Sequence, residues 1–543
     1  MTQPPKQNLH HLYDAINTND DNDRKSLWDI ALYQPPHAEH AGNEDTNGRR
    51  RILPTANSLN NARESLITEL PANGRGYNET RNHLFQDIIP GLNDSSISPT
   101  YYGFVTGGLT PTALLADNIV SSYDQNVQVH LVEHSVATDV EAAALGLVKD
   151  LLGFEREDWP HATFTTGATA SNILGLACGR EFVLQRTVER RKENGKADDS
   201  SCRIDGSIVD SVGEYGVSAV LEAAGLRGLQ VLSTLSHSSL GKAAGMLGIG
   251  RANVKSIYAE NIDNTSDQLL KFDLGKLETE LARDDVASIV AVSCGEVNTG
   301  RFATENIQEF QRVRALCDKY GAWLHVDGAF GMFGRILEGG SEFETIKKGA
   351  EGIELADSIT GDAHKFLNVP YDCGFFFSRH KGIAEDVFQN PNAAYLSSGG
   401  KGNNIPSPNN IGIENSRRFR ALPVYSSLVA YGKNGYRYIL EKQIRLARLI
   451  TEWLLEHPDY IVFPSGESKE ELLERTYMIV LFRARNDSLN KELSKKINET
   501  SKIFVSGTKW GGEPACRIAI SNWKVEVERD FLLVRQTLEE ILN

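Results

Sequence analysis

Cysteine is sparse and unpatterned: Cys178, Cys202, Cys294, Cys317, Cys373 and Cys516 are scattered through 543 residues with no CxxC among them. That spacing offers neither a disulfide framework nor a zinc cluster, and it reads as the reduced, buried thiols of a cytosolic protein. Long apolar runs are missing too, so no segment is expected to span a bilayer. The opening MTQPPKQNLHHLYD has none of the hydrophobic stretch of a secretory signal, and a soluble, cytoplasmic protein is expected. Basic residues are in deficit, 57 against 72 acidic, for a net charge of −15. That balance argues against nucleic acid or an anionic membrane as the main partner. A small anionic ligand stays open, because it answers to local rather than total charge.

What is present is ordinary globular material in sufficient length for two or more domains. Residues 1 to 60 are polar, with NTNDDND and AEHAGNEDTNGRRR reading as loop and SLWDIALY as a short helix among them. From about 62 the pattern turns helical, and LTPTALLADNIVSSYD and VATDVEAAALGLVKDLLGF carry apolar residues at three-to-four spacing. Strand and helix then alternate. ATFTTG, LQVLSTLS, VKSIYAE, ASIVAVSC, AWLHVD and CGFFFS are the predicted strands. Such alternation predicts an α/β fold with a mostly parallel sheet and helices on both faces. Residues 396–415, rich in Gly, Asn, Ser and Pro, read as a long mobile loop of the kind that often forms a lid. Beyond it, two helical stretches, the strands TYMIVLFRA and ACRIAISNW and a last helix make a smaller α/β domain.

Four positions at the ends of predicted strands carry chemistry, where open α/β sheets bind their ligands. In TFTTGATASN a strand runs through a glycine turn into a helix with Thr169 and Ser171 near its first turn. The free N–H groups there suit a phosphate, although an ordinary capped helix reads the same way. His237, in LSTLSHSSLGKAA, is placed either to lie against a flat aromatic ligand or to serve as a hydrogen-bonded structural histidine. Asp327 ends the apolar run AWLHVD before small residues. It suits a protonated ring nitrogen, with a metal ligand or a helix cap as alternatives. Lys365 sits in SITGDAHKFLNVPYDCG, in a buried-looking segment where an ammonium is costly unless it is paired or gives up its proton to become a nucleophilic amine. Taken together, a phosphate cup, a stacking imidazole, a carboxylate for a pyridinium and an amine for an aldehyde are the parts that pyridoxal 5′-phosphate requires.

From about Ser98 onward the chain resembles the group II pyridoxal-phosphate-dependent amino-acid decarboxylases, the family of the aromatic-L-amino-acid and glutamate decarboxylases. The likeness is carried by YYGFVTGG, TTGATASN, LSHSS, HVDGAFG, DAHKFLNVPYDCG, RRFRALPVY and RIAISNW. It implies fold type I of the pyridoxal-phosphate enzymes, with a mostly parallel seven-stranded sheet in a large domain and a smaller C-terminal α/β domain. It also implies a carboxy-lyase acting on an L-amino acid. By the same resemblance Lys365 bonds the cofactor as an imine, Asp327 pairs with its ring nitrogen, His237 stacks on the ring and Ala329 packs on the other face. Ala168 and Thr169 contact the phosphate with Asp362 nearby, and His364 sits beside the imine and the substrate carboxylate. A homodimer with its active site at the subunit interface follows as well. The chain divides accordingly into a polar segment (1–60), a helical segment wrapping the partner (61–130), a large cofactor-binding domain (131–395), the mobile active-site loop (396–415) and the small domain (416–543).

Two departures stand out. Decarboxylases of this family commonly carry a tyrosine in the mobile loop that protonates the α-carbon, and 396–415 contains neither Tyr nor His, with Tyr395 only at its edge. Without that donor, an oxygen-dependent reaction ending in an aldehyde is the alternative to amine formation, unless His364, Lys365 or a partner residue supplies the proton. Glu296, in SCGEVNTGR, stands where relatives often have an uncharged polar residue. A solvated strand-end charge is expected of it ahead of a contact to a cationic substrate. Tyr101, Tyr102 and Phe104 read either as an apolar pocket wall or as core.

Overall fold

A computed structural model describes residues 51–193, 203–204, 207–260, 262–390 and 405–542. Residues 1–50 with the expected SLWDIALY helix, Cys202, Tyr395 and residues 396–404 of the expected loop lie outside them. The chain enters through two short helices, α1 (Ala56–Ser65) and α2 (Gly76–His83), and a two-residue strand, β1 (Tyr101–Tyr102). Then come α3 (Pro111–Tyr123), α4 (Ala137–Leu152), β2 (His161–Thr165) and the long α5 (Ala168–Glu193). The sheet continues with β3 (Gly228–Ser233), α6 (Ser238–Met246), β4 (Val254–Ser256), β5 (Val286–Ser293), α7 (Ile307–Tyr320), β6 (Trp323–Asp327), β7 (Ser358–Asp362) and β8 (Gly374–Ser378).

These strands form one seven-stranded sheet in the order β2-β8-β7-β6-β5-β3-β4. Every pairing is parallel except those of β8, which runs antiparallel to both β2 and β7. Parallel strands covered by helices on both faces are apolar along their whole length. Accordingly β6 is buried from Trp323 to Val326 and opens only at Asp327, its C-terminal end. The local chemistry fixes the entries and exits. Asn306 caps α7 by accepting from the Glu309 amide, and Gly321 ends the helix at φ +71°, a left-handed conformation that glycine adopts without penalty.

All six predicted strands of the large sheet are present. The seventh, β7, is the one that sequence periodicity misses, because SITGD is short, polar at alternate positions and carries Gly361. That glycine is required by packing, since a Cβ there would run into the Phe375 ring on β8.

The second layer is a five-stranded sheet of β9 (Tyr460–Phe463), β10 (Ile479–Ala484), β11 (Phe504–Trp510) and β12 (Glu513–Ala519), in the order β1-β11-β12-β10-β9. Helix α8 (Ala421–Glu456) joins it to the large sheet. Its two predicted halves meet at Gly432, where φ +57° and ψ −175° interrupt the helical backbone in a region open essentially to glycine alone. Just before α8, the buried guanidinium of Arg417 makes a two-pronged bond to the buried Glu141 carboxylate of α4, one contact at 2.8 Å. The final residues of the expected loop are ordered, and the Asn409 amide donates to the Gln128 carbonyl at 3.0 Å. No helix among the described residues is long and apolar enough to cross a membrane.

Candidate active site

The C-terminal ends of β5, β6 and β7 converge on one cleft. Lys365 follows β7 in a single helical turn, Ala363–Phe366, and its ammonium lies 2.9 Å from Asp362 Oδ2. The other oxygen of Asp362 accepts the Ala168 amide at 2.6 Å and lies 3.6 Å from His364 Nε2. One carboxylate thus joins the lysine to the N-terminus of α5. The first-turn amides of that helix, Thr169's among them, have no intrahelical acceptor in an α-helix and form the natural seat for an anion. The His364 ring accepts the Cys373 amide on Nδ1 at 3.1 Å, and burial pulls its imidazole below the ordinary value. Gly107 packs against this turn so closely that a Cβ would collide with the Lys365 carbonyl.

Asp327 is held from behind. Its Oδ2 accepts from Asn172 Nδ2 at 2.9 Å, and its Oδ1 accepts the Ala329 amide at 3.3 Å. Asn172 Oδ1 can only accept, so the proton of His325 is on Nε2, 2.9 Å away. His325 Nδ1 then accepts from the Ser358 hydroxyl at 2.8 Å, and that hydroxyl in turn accepts from the Trp323 indole at 3.0 Å. The directions of all these bonds agree, so the network orients the carboxylate without an unsatisfied polar group.

Burial pulls both His161 and His325 down to about 4. In the unfolded chain each takes up a proton near about pH 6.5. Between about pH 6.5 and 4 the unfolded state therefore binds more protons, and stability falls as pH falls through that window. The denaturant midpoint is expected to be lower at about pH 5 than at about pH 7. His161→Phe, which removes one of the two groups, is expected to flatten that dependence.

His237 caps α6, its Nδ1 accepting the Ser239 amide at 3.2 Å, and its ring borders the cleft. Burial lowers its imidazole, and the Asp327 charge opposes that effect. The cleft has a volume of about 490 Å³ and brings Lys365, His237 and Phe330 together with Phe104, Thr106, Tyr371 and Arg517. A second cleft of about 580 Å³ shares His237 and Val297 with it.

Sequence reasoning missed two of these residues. Arg517, on β12, is buried and donates to the Val297 carbonyl at 2.7 Å, the Gly103 carbonyl at 2.8 Å and Ser506 Oγ at 3.2 Å. Its signal was the arginine of RIAISNW. Tyr371 lies in the lysine motif itself, six residues after Lys365, with its ring 4.3 Å centroid to centroid from His364. Glu296 corrects an expectation. It is not solvated but only 5 % exposed, and its carboxylate closes the 296–300 turn by accepting from the Thr299 amide at 2.9 Å, Thr299 Oγ1 at 2.8 Å and Asn298 Nδ2 at 3.0 Å. Burial raises the Glu296 carboxyl above its ordinary value. Of the three aromatic wall candidates, Tyr102 belongs to the small domain's core, Tyr101 stacks on Phe504, and Phe104 alone borders the cleft.

Residues 64–472 match the model of the pyridoxal-dependent decarboxylase conserved domain. The chain belongs to that family. Pyridoxal phosphate is therefore its cofactor, and it is a carboxy-lyase of the pyridoxal-phosphate type. The chemistry gathered in and around the cleft suits the group: an amine, an oriented carboxylate, an imidazole and a helix N-terminus. Among curated relatives of this decarboxylase, L-2,4-diaminobutyrate decarboxylase of Acinetobacter baumannii is 26% identical over 387 residues, 69% of this chain and 68% of the relative. Aromatic-L-amino-acid decarboxylase of Bacillus atrophaeus is 23% identical over 482 residues, 86% of each chain. In fold the decarboxylase is similar to the crystal structure of Rhodiola rosea 4-hydroxyphenylacetaldehyde synthase, with a TM-score of 0.68 at 17% identity, covering 99% of both chains.

Proposed function

We propose that the protein removes the α-carboxylate of an L-amino acid, aromatic or related, as carbon dioxide and releases the amine. The observation that carries this reading is the convergence of Lys365, His237 and Arg517 on one cleft, with Asp327 oriented behind it. Lys365 is the amine that holds the cofactor's aldehyde carbon, Thr169 and the first turn of α5 bind its phosphate, and His237 and Ala329 flank its ring. When bound, pyridoxal phosphate supplies an electron sink for the pair left as a bond to the substrate's α-carbon breaks. Asp327 keeps the proton on the ring nitrogen, and Asn172 fixes the direction in which that carboxylate points. The Arg517 cation orients the substrate carboxylate, and Phe104 and Phe330 give the cleft two apolar walls. Asp362 anchors Lys365 until substrate arrives. His364, beside them, stays neutral at physiological pH because burial opposes its charge.

A homodimer is part of this reading. The N-terminal segment leaves Leu70, Tyr77, Leu84 and Phe85 exposed, which supports a second copy covering it. A second reaction, favoured by the absence of tyrosine from residues 396–415, consumes oxygen and water and yields carbon dioxide, ammonia, hydrogen peroxide and an aldehyde.

The test is a panel of L-amino acids given to the cofactor-loaded protein, with carbon dioxide, amine, aldehyde and peroxide measured separately. Carbon dioxide and amine in equal amounts support the proposal. Stoichiometric aldehyde and peroxide favour the second reaction. No carbon dioxide from any member overturns both.

A further inference from the structure

We propose that Tyr371 is the acid that delivers a proton to the substrate's α-carbon once carbon dioxide has left. This rests on the decarboxylation reading and supplies the donor that residues 396–415 lack.

Lys365 and His364, the other candidate donors of the lysine motif, both turn toward Asp362. The Lys365 ammonium is paired with Asp362 at 2.9 Å, and His364 accepts the Cys373 amide on Nδ1 while its Nε2 faces Asp362 at 3.6 Å. Tyr371 borders the same cleft as Lys365, and its phenol lies close enough to feel the charges of Lys365 and Asp362. Its ring is braced against His364, and its hydroxyl is hydrogen-bonded to Thr106, which is itself buried and borders the cleft. Tyr371 is 54 % exposed, and burial of the remainder, the largest influence, raises the phenol above its ordinary value, so it holds its proton at neutral pH. The Thr106 bond and the Lys365 charge act the other way and favour the phenolate. A group that holds its proton at rest, beside partners that stabilise its anion, is built to give that proton up.

The step balances without an oxidant. The electron pair that held the carboxylate carbon becomes the new C–H bond, the Tyr371 O–H bond breaks, and its electrons remain on the phenolate oxygen. Solvent then restores the phenol, which accounts for the one proton that forming an amine and carbon dioxide from an amino acid consumes. When this donor is removed, the electron pair stays available to dioxygen, and aldehyde, ammonia and peroxide appear in place of amine.

Tyr371→Phe in the cofactor-loaded enzyme removes one oxygen and keeps the ring against His364. Its visible absorbance band, and the fixation of that band to Lys365 by borohydride, are expected to match the parent. Amine formation is expected to fall by about 10²-fold, with the share of aldehyde and peroxide rising. Thr106→Val keeps the phenol but removes its bond, and is expected to shift the same partition in the same direction by less. Should Tyr371→Phe lose the cofactor band, Thr106→Val decides alone. Parental amine rates with no added aldehyde in both variants overturn the assignment of Tyr371 while leaving decarboxylation intact. A parent enzyme whose product is aldehyde rather than amine also overturns it. Absence of carbon dioxide from the parent overturns the underlying reading along with it.

Discussion

Lys365→Ala is expected to lose turnover by about 10⁴-fold or more, equivalent to about 5 kcal/mol of barrier, because among the described residues no other amine borders the cleft to take its place. The same variant loses the borohydride-fixed adduct, since that bond needs the Nζ nitrogen. Its fold is expected to survive. The Lys365 side chain is 21% exposed, and Asp362 keeps its 2.6 Å bond to the Ala168 amide and its neighbour His364 when the ammonium is gone. Circular dichroism and a thermal melt of variant beside parent separate loss of chemistry from loss of structure. A Lys365→Ala protein that turns over at the parental rate removes the basis for assigning that residue.

Asp327→Asn is expected to lower kcat by about 10²- to 10³-fold while leaving cofactor binding measurable. The substitution preserves shape. The residue at 327 keeps an acceptor for one of its two donors, Asn172 or the Ala329 amide, because an amide has one acceptor oxygen where the carboxylate has two. What disappears is the negative charge that makes a protonated ring nitrogen favourable, so the loss belongs in kcat rather than in the affinity for cofactor. Asn172→Leu leaves the charge but frees its direction, and a loss smaller than that of Asp327→Asn distinguishes orientation from charge. Equal kcat in Asp327→Asn and parent shows that the ring nitrogen has another partner.

Much of this architecture is legible in the sequence because each strand end carries its chemistry beside its punctuation. AWLHVD is apolar until the residue that matters, and the glycine of TTGATASN marks the turn into α5. The α8 break was legible too, since Gly432 separates two apolar periodicities. The strand SITGD was not. Its serine and threonine face the His325 network and its glycine faces the Phe375 ring, and neither neighbour is visible along the chain. Glu296 misled for the same reason, as its buried turn is stabilised by Asn298 and Thr299, whose roles depend on backbone direction. Arg517 stands in RIAISNW, yet its approach to Lys365 depends on how the two sheets meet. Tyr371 was written inside the most telling motif of all, yet its place beside His364 and Lys365 is a matter of side-chain direction.

Asp362 is where two distant stretches of backbone are fastened together. Its oxygens reach the α5 entrance 194 residues earlier in the chain and the lysine three residues later. The gap between the seat for an anion and the nucleophilic nitrogen is therefore gauged by one short, buried side chain. A molecule must have the right length to touch both ends at once, and selection of that kind operates before any reaction begins.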